Sequence, residues 1–279
     1  MDKTKSAILE FFYPKRTVIC TRTFSNFLAD YYDNVDHLFF ITSLAARADD
    51  TLVTAAKTLA NISSSTHEDK ERWERVRADP QVTARELRRF ARVLSRNLTN
   101  AIVSGFQRYF SEIIQATALK RPEILRSGQT VRVDEILRFT RHSDIVSYLI
   151  DKKINELSYG GIRDMESYFR DRLGTEMFST DRQRALLTAF IEIRNINVHN
   201  GSIVNDLFLS KVGAIEDFNF VRGKRFHVDM DELTLLSDNA IRVALAIDRS
   251  VASKFKLQRK AHKAWDSTTS LSSKITKSK

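Results

Sequence analysis

The chain has 279 residues and a mass of 32.1 kDa, with 42% hydrophobic and 29% charged residues. This composition is typical of a globular protein that buries its core without disulfides, and it excludes a disordered or fibrous chain. The 8 glycines and 3 prolines favour long helices, and the single cysteine, Cys20, excludes an internal disulfide framework and a cysteine-based zinc site. We therefore expect a mostly helical protein of a reducing compartment, the cytoplasm.

The first residues do not have the pattern of a secretory signal. Charged residues and a proline interrupt every short apolar run there: Glu10, Pro14, Lys15 and Arg16. No stretch of the chain approaches the roughly 18 apolar residues of a membrane span, so we expect no membrane partner.

Residues 24–62 carry apolar side chains at spacings of three and four, which predicts a helix. We expect this helix to break near Asp49 and Asp50. A subdomain boundary is predicted at Asp79–Pro80, because proline cannot continue a helix interior. Residues 1–80 are therefore predicted to be an N-terminal helical extension.

The main domain is predicted to span residues 81–255 and to open with a long helix from Thr83 to Ala118. Arginines crowd the start of that helix: Arg85, Arg88, Arg89, Arg92 and Arg96. We favour a solvated, ion-paired face for them over an RNA-binding stripe. Shorter helices are predicted around 134–137, 144–157 and 162–173.

Two further helices are predicted in the last third of the chain. One runs from about Thr180 to Val198 and is stopped by Asn200–Gly201. The other runs from Asp229 to about Lys256. The helix macrodipole favours acidic residues at its start, which explains them better than a metal site does. We expect no metal and no other cofactor.

The formal net charge of +10 is concentrated near the C-terminus, where residues 254–279 hold eight basic residues and one acid. Residues 256–279 are predicted to be a flexible basic tail. Its cations could attract RNA phosphates, or the tail could simply be a solubilising terminus. The predicted weak RNA-binding residues are Lys254, Lys256, Arg259, Lys260 and Lys263.

One arginine stands in an apolar setting. At about 100° per residue, the apolar side chains of the helix after Thr180 fall within an arc of about 140°. Arg194 lies near the middle of that arc, with Asn197 on the same side. A buried guanidinium is costly without partners. We expect an acid from a neighbouring helix, a second subunit or an anionic ligand to compensate it.

The spacing between Arg194 and His199 recurs between Arg222 and His227. The second pair lies in a glycine-containing basic stretch between helices, and we expect no apolar scaffold to hold it rigid. We therefore rank it well below the first pair. The remaining histidines are expected to be surface or core residues: His37, His67, His142 and His262.

The segment from Arg194 to Gly201, near the end of a long helix, resembles the Arg-polar-x3-His motif of HEPN ribonucleases. The resemblance covers residues 83–255. It implies an all-α, HEPN-like helical bundle that dimerises, so that two motif helices form one composite cleft that cuts RNA. It also implies metal-independent cleavage in which the ribose 2′-OH attacks the adjacent phosphate.

The resemblance further implies roles for individual residues. His199 would transfer protons, since imidazole titrates near neutral pH. Arg194 would brace the scissile phosphate with a planar, permanently charged fork. Asn195 matches the polar position, and Asn197 and Asn200 are supporting candidates.

We therefore expect a homodimeric endoribonuclease, either a toxin or an antiviral-defence effector, restrained by an antitoxin, a sensor or another regulatory partner. Residues 1–80 would be the natural place for such control. The alternative function is a non-catalytic RNA-binding or scaffolding module. The structural alternative is an Arg194 salt bridge to a neighbouring helix, with His199 capping a helix C-terminus.

Overall fold

The computed structural model of the protein describes residues 18–62, 64–126 and 130–262. A two-stranded sheet is formed by β1 (Val18–Cys20) and β2 (Lys260–His262). The helices of the first half are α1 (Arg22–Asn61), α2 (His67–Ala78), α3 (Val82–Arg89), α4 (Ala91–Lys120) and a 3-10 turn (Pro122–Leu125). Those of the second half are α5 (Val133–Ile136), α6 (His142–Tyr168), a π-helical turn (Phe169–Leu173), α7 (Asp181–His199), α8 (Asp206–Val212) and α9 (Met230–Phe255).

Helix α4 is the centre of the bundle and packs against α1, α6, α7 and α9. Its apolar residues recur at spacings of three and four over more than eight turns, so it buries Phe106, Tyr109 and Ile113 completely. The prediction of an all-α bundle is confirmed. Within the described residues, no helix is long and apolar enough to cross a membrane.

Helix α1 is continuous, so the predicted break near Asp49 is wrong. Its first half belongs to the main core, where the Phe24 ring lies 5.7 Å from the ring of Tyr109 and the Phe27 ring 6.1 Å from that of Phe106. Its second half packs with α2 and α3. The start of α1 is therefore not an extension separate from the bundle.

Asp49 is buried, and its carboxylate caps the N-terminus of α3. It accepts hydrogen bonds from the backbone N–H groups of Thr83 at 2.8 Å and Ala84 at 2.9 Å. Burial alone would raise the pKa of Asp49, but the hydrogen bonds from Ala84 and Thr83 outweigh it and lower the pKa. The acid that suggested a helix break thus stabilises a different helix.

The single helix predicted from Thr83 to Ala118 is wrong, because the structure forms two helices that meet at Phe90. The Phe90 backbone lies in the bridge region at φ −91° and ψ 2°, and its N–H donates to the Leu87 carbonyl at 3.0 Å. This tight turn lets α3 and α4 run in different directions. The predicted arginine-rich start is therefore divided between two helices.

Part of the predicted flexible tail is ordered. Strand β2 pairs antiparallel with β1, from Val18 opposite His262 to Cys20 opposite Lys260. The adjacent Thr21 donates its backbone N–H to the buried Asp248 of α9 at 3.0 Å. The prediction of flexibility is therefore wrong for 260–262, whereas 263–279, including Lys263, lie outside the described residues.

The two C-terminal helix predictions are confirmed. Helix α7 begins after Thr180, whose hydroxyl accepts the Gln183 N–H, and it ends before Gly201, whose φ of +56° favours glycine. Helix α9 begins with a capping box between Asp229 and Glu232, so these two acids serve the helix terminus.

We predict that Asp49→Ala lowers the free energy of unfolding by about 1–2 kcal/mol, the usual cost of a lost N-terminal cap. Urea denaturation followed by circular dichroism measures the change. Asp50→Ala, at the exposed neighbouring position, is the matched control and should change stability by less than about 0.5 kcal/mol. Equal effects of the two variants would contradict the capping role.

Candidate functional site

Helix α7 carries the candidate site at its C-terminal end. The apolar arc predicted from the helical wheel is buried: Leu186, Leu187, Phe190 and Ile191. Arg194 is half-buried although it lies near the middle of this arc, and His199 is exposed at the last helical position. The buried face of α7 therefore leaves the arginine partly accessible to solvent near the end of the helix.

Arg194, Asn195 and His199 line one cleft of about 370 Å³, together with Asn200. Helix α4 contributes Gln107 to the same cleft. The cleft thus brings together the three predicted catalytic residues and one predicted supporting residue.

A kink in α6 forms another part of the cleft wall. Gly161 interrupts α6 with φ +75° and ψ −169°, a conformation that L-residues rarely adopt. Gly161 and the adjacent Ile162 both line the cleft. A regular helix cannot include this conformation, so Gly161 changes the direction of α6 at the point where it lines the cleft.

The guanidinium of Arg194 is only partly satisfied. Its Nη1 donates to Asn195 Oδ1 at 3.3 Å, whereas its buried Nε meets no hydrogen-bond acceptor in the described chain. No described carboxylate lies within ion-pair distance of it. The nearby Glu192 is buried and is paired with Lys211 at 2.9 Å. The predicted alternative of an Arg194 salt bridge to a neighbouring helix is therefore wrong over the described residues.

The His199 side chain is exposed to solvent, so a large substrate can reach it. It follows Arg194 by five residues, which corresponds to about 7.5 Å along the helix axis and about 140° around it. Both side chains line the cleft although they leave the helix in different directions.

Asn197 connects α7 to its surroundings. Its Oδ1 accepts a hydrogen bond from the Ser202 hydroxyl at 2.8 Å, and its Nδ2 donates to Asn100 Oδ1 of α4 at 3.5 Å. Asn200 donates to the Ile203 carbonyl at 2.7 Å and so fixes the turn after α7. Both asparagines therefore make hydrogen bonds around the C-terminal end of α7, and only Asn200 of the two lines the cleft.

Sequence reasoning missed Gln107, Gly161 and the pair of Glu192 with Lys211. The pair joins residues 19 positions apart on two helices, and Gln107 lies almost 90 positions from the motif. The only available signal was Glu192 itself, a charged residue within the predicted buried stretch. Its partner could not be chosen without the fold.

The predicted RNA-binding cations near the C-terminus do not reach the cleft. Lys254 donates to the Gly174 carbonyl at 3.2 Å, and the Lys256 carbonyl accepts a hydrogen bond from Lys120. Lys120 ends α4, about 20 Å along the helix axis from Gln107, which lines the cleft. Arg259 and Lys260 are exposed beside this same end of the bundle.

The second Arg–His pair is divided by the structure. Arg222 pairs with Asp206 at 2.7 Å, whereas His227 lies against the start of α4. The expectation that this stretch has no apolar scaffold is wrong, since an aromatic cluster supports it: Phe208, Phe218, Phe220 and Phe226. His37, His67 and His142 are exposed, and His262 lies in β2.

Comparison of the chain with protein-family models gives no match, and comparisons with curated proteins and with solved structures give none either. No group of three or more His, Cys, Asp or Glu side chains that could hold a metal ion occurs in 18–62, 64–126 or 130–262. The site is therefore interpreted from its own geometry.

We predict that Arg194→Met leaves the free energy of unfolding unchanged or raises it by up to about 1 kcal/mol. A buried donor without an acceptor costs about 1–3 kcal/mol, and methionine keeps the apolar stem while removing that donor. Chemical denaturation measures the difference.

Arg184→Met is the matched control on the same helix. Its guanidinium is bonded to Glu166 at 2.6 Å and to Asp181 at 2.6 Å, so its loss should lower stability by about 0.2–1 kcal/mol. A loss of about 2 kcal/mol or more in Arg194→Met would show that Arg194 is a structural residue.

Proposed function

We propose that the protein is a metal-independent endoribonuclease of the HEPN type. The observation that carries this proposal is the combination of an unpaired, half-buried Arg194 guanidinium and an exposed His199 imidazole in one cleft. A phosphate would supply the counter-charge that the described residues do not provide. An imidazole at the same cleft would supply proton transfer near neutral pH.

The proposed reaction is transfer of a phosphoryl group within the RNA strand. His199 accepts the proton of a ribose 2′-OH, and that oxygen forms a bond to the adjacent phosphorus while the bond to the 5′-oxygen breaks. The leaving oxygen takes up a proton, which yields a 2′,3′-cyclic phosphate and a 5′-hydroxyl. Arg194, positioned through Asn195, stabilises the additional negative charge on the phosphoryl oxygens.

We propose that two copies of the chain form the complete site. The reaction needs one group to accept a proton and one to donate it, and two His199 side chains would serve both needs. Exposed apolar side chains border the cleft: Val198 is 49% exposed and Leu207 62%. A second copy of α7 would cover this surface and exclude water from the reacting phosphate.

In the cell, we propose that such an activity serves a toxin or an antiviral-defence effector in the cytoplasm. A regulatory partner, such as an antitoxin or a sensor, would then restrain it. The competing function is a non-catalytic RNA-binding or scaffolding module, in which Arg194 would bind phosphate without cleavage. Cleavage assays separate the two functions.

We predict that the purified protein cleaves RNA in the presence of EDTA and that His199→Ala lowers the rate by about 10²–10⁴-fold, the range for loss of a general acid–base group. Gel analysis of a mixed panel of RNAs measures cleavage. His37→Ala, at an exposed histidine of α1, is the control and should retain full activity.

A substrate with deoxyribose 5′ of the cut phosphate should remain intact because it lacks the nucleophile. Cleavage of that substrate, or full activity of His199→Ala, would contradict the mechanism. An intact RNA panel under all conditions tested would favour the binding module.

A further inference from the structure

A second group of cations lies at the N-terminal end of α4. Arg92 and Arg96 of α4 lie beside the segment that precedes α9, which carries Arg225 and His227. The contact is fixed by the hydroxyl of Ser95, which lies between the two arginines of α4 and donates to the Val228 carbonyl. We call these four residues the α4 basic cluster.

The positive charges of the α4 basic cluster affect the pKa of His227. Burial lowers the pKa of His227 below its ordinary value, and the positive charges of Arg92, Arg225 and Arg96 lower it further. His227 is only half-buried, so a ligand can reach the cluster from solvent.

The arginines of the α4 basic cluster have no carboxylate partner in the part of the chain that the structure describes. Neighbouring arginines behave differently. On α3, Arg85 pairs with Asp79 and Arg89 pairs with Glu86. The same stretch of sequence therefore contains one neutralised set of arginines and one set whose charge is free to attract an anion.

The cluster is held rigidly. Its segment pairs with the turn that follows α7: the Val204 N–H donates to the Lys224 carbonyl at 3.0 Å, and the Phe226 N–H donates to the Ser202 carbonyl at 2.9 Å. Phe226 also packs 4.7 Å from the ring of Phe220. The backbone that carries Arg225 and His227 is therefore held in place, so less of it must be ordered when a ligand binds.

The cluster and the cleft lie along one face of α4. At about 100° per residue, Arg92, Arg96, Asn100 and Gln107 fall within an arc of about 80°. Gln107 lines the cleft, and Asn100 contacts Asn197 of the motif helix. Arg96 and Gln107 are about 17 Å apart along the helix axis. An extended polynucleotide can span that distance.

We propose that the α4 basic cluster binds the sugar-phosphate backbone of the RNA strand on one side of the cut, and so positions the strand in the Arg194–His199 cleft. The inference rests on the proposed function because it takes RNA as the ligand. The predicted RNA-binding cations at the opposite end of α4 then do not position the substrate: Lys254, Lys256, Arg259 and Lys260.

The test is binding of a fluorescent, single-stranded 2′-O-methyl RNA, which lacks the free 2′-OH and cannot be cut. We expect Arg92→Gln/Arg96→Gln/Arg225→Gln to bind at least about 10-fold more weakly than the unchanged protein at low salt, and the slope of log affinity against log salt to fall by about 2. Fluorescence anisotropy measures both.

The matched control removes the same charge from α3, in Arg85→Gln/Arg88→Gln/Arg89→Gln, and should bind within about 2-fold of the unchanged protein. Circular dichroism and thermal unfolding check that both variants fold. Equal weakening by both variants would overturn the proposal, since it would show general attraction by net charge. Unchanged binding by the cluster variant would overturn it as well.

A second measurement observes the site directly in the intact protein. Nuclear magnetic resonance follows the pKa of His227, which should rise when RNA phosphates offset the three neighbouring arginines. An unchanged pKa of His227 in the RNA-saturated protein would overturn the proposal even if the cluster variant failed to fold.

These outcomes are separate from those of the proposed function. The binding assay needs no cleavage, because the 2′-O-methyl RNA cannot be cut, and the control His37→Ala should bind it normally. A protein that binds through the cluster but leaves all RNA intact would contradict the nuclease alone. A protein that cleaves RNA but binds independently of the cluster would contradict the cluster alone.

Discussion

The guanidinium of Arg194 is the physical constraint on which the candidate site depends. Helix α7 buries Leu187 and Phe190 against the core of the bundle, and the helical repeat places Arg194 on the same side, where it is half-buried. A charge in this position needs a counter-charge or water. Glu192, two residues earlier, does not supply it because its carboxylate pairs with Lys211. The fold thus tolerates a local cost that an anionic ligand would remove.

Much of the architecture could be predicted because it follows from local patterns. The spacing of apolar residues places α7 and α9, and the caps at Thr180 and Asp229 mark where these helices begin. The failures have long-range causes. Asp49 suggests a break in α1 until its carboxylate is found on α3, 34 positions away. The turn at Phe90 has no proline or glycine to signal it.

The candidate site shows the same division between local and long-range information. Arg194, Asn195 and His199 share one helix, so their helical phase and spacing are available from sequence. Gln107 enters the cleft only because α4 crosses α7, and Gly161 only because α6 bends there. Asn197 could be placed on the buried side of α7, but its partner Asn100 is 97 positions away. Such contacts require tertiary structure.

The basic segment that carries His227 is fixed by contacts that its sequence pattern does not predict. Phe218 and Phe220 are two residues apart and Phe226 follows six residues later, a pattern too short and interrupted to predict that the three rings pack together. Irregular backbone becomes rigid here through aromatic contacts and hydrogen bonds to the turn after α7. A basic loop that looks solvated in sequence can therefore hold charges as firmly as a helix does.

The distribution of ion pairs connects the two groups of cations. Most acids near arginines in the described chain neutralise them, as Glu166 does for Arg184 and Asp206 for Arg222. Arg194 and the arginines of the α4 basic cluster are among the described arginines that have no carboxylate partner. Asn197 donates a hydrogen bond to Asn100 and accepts one from the Ser202 hydroxyl, so these contacts join the two places through α4 and the motif helix. Under the proposed function, one extended RNA strand would contact both places, because α4 links them.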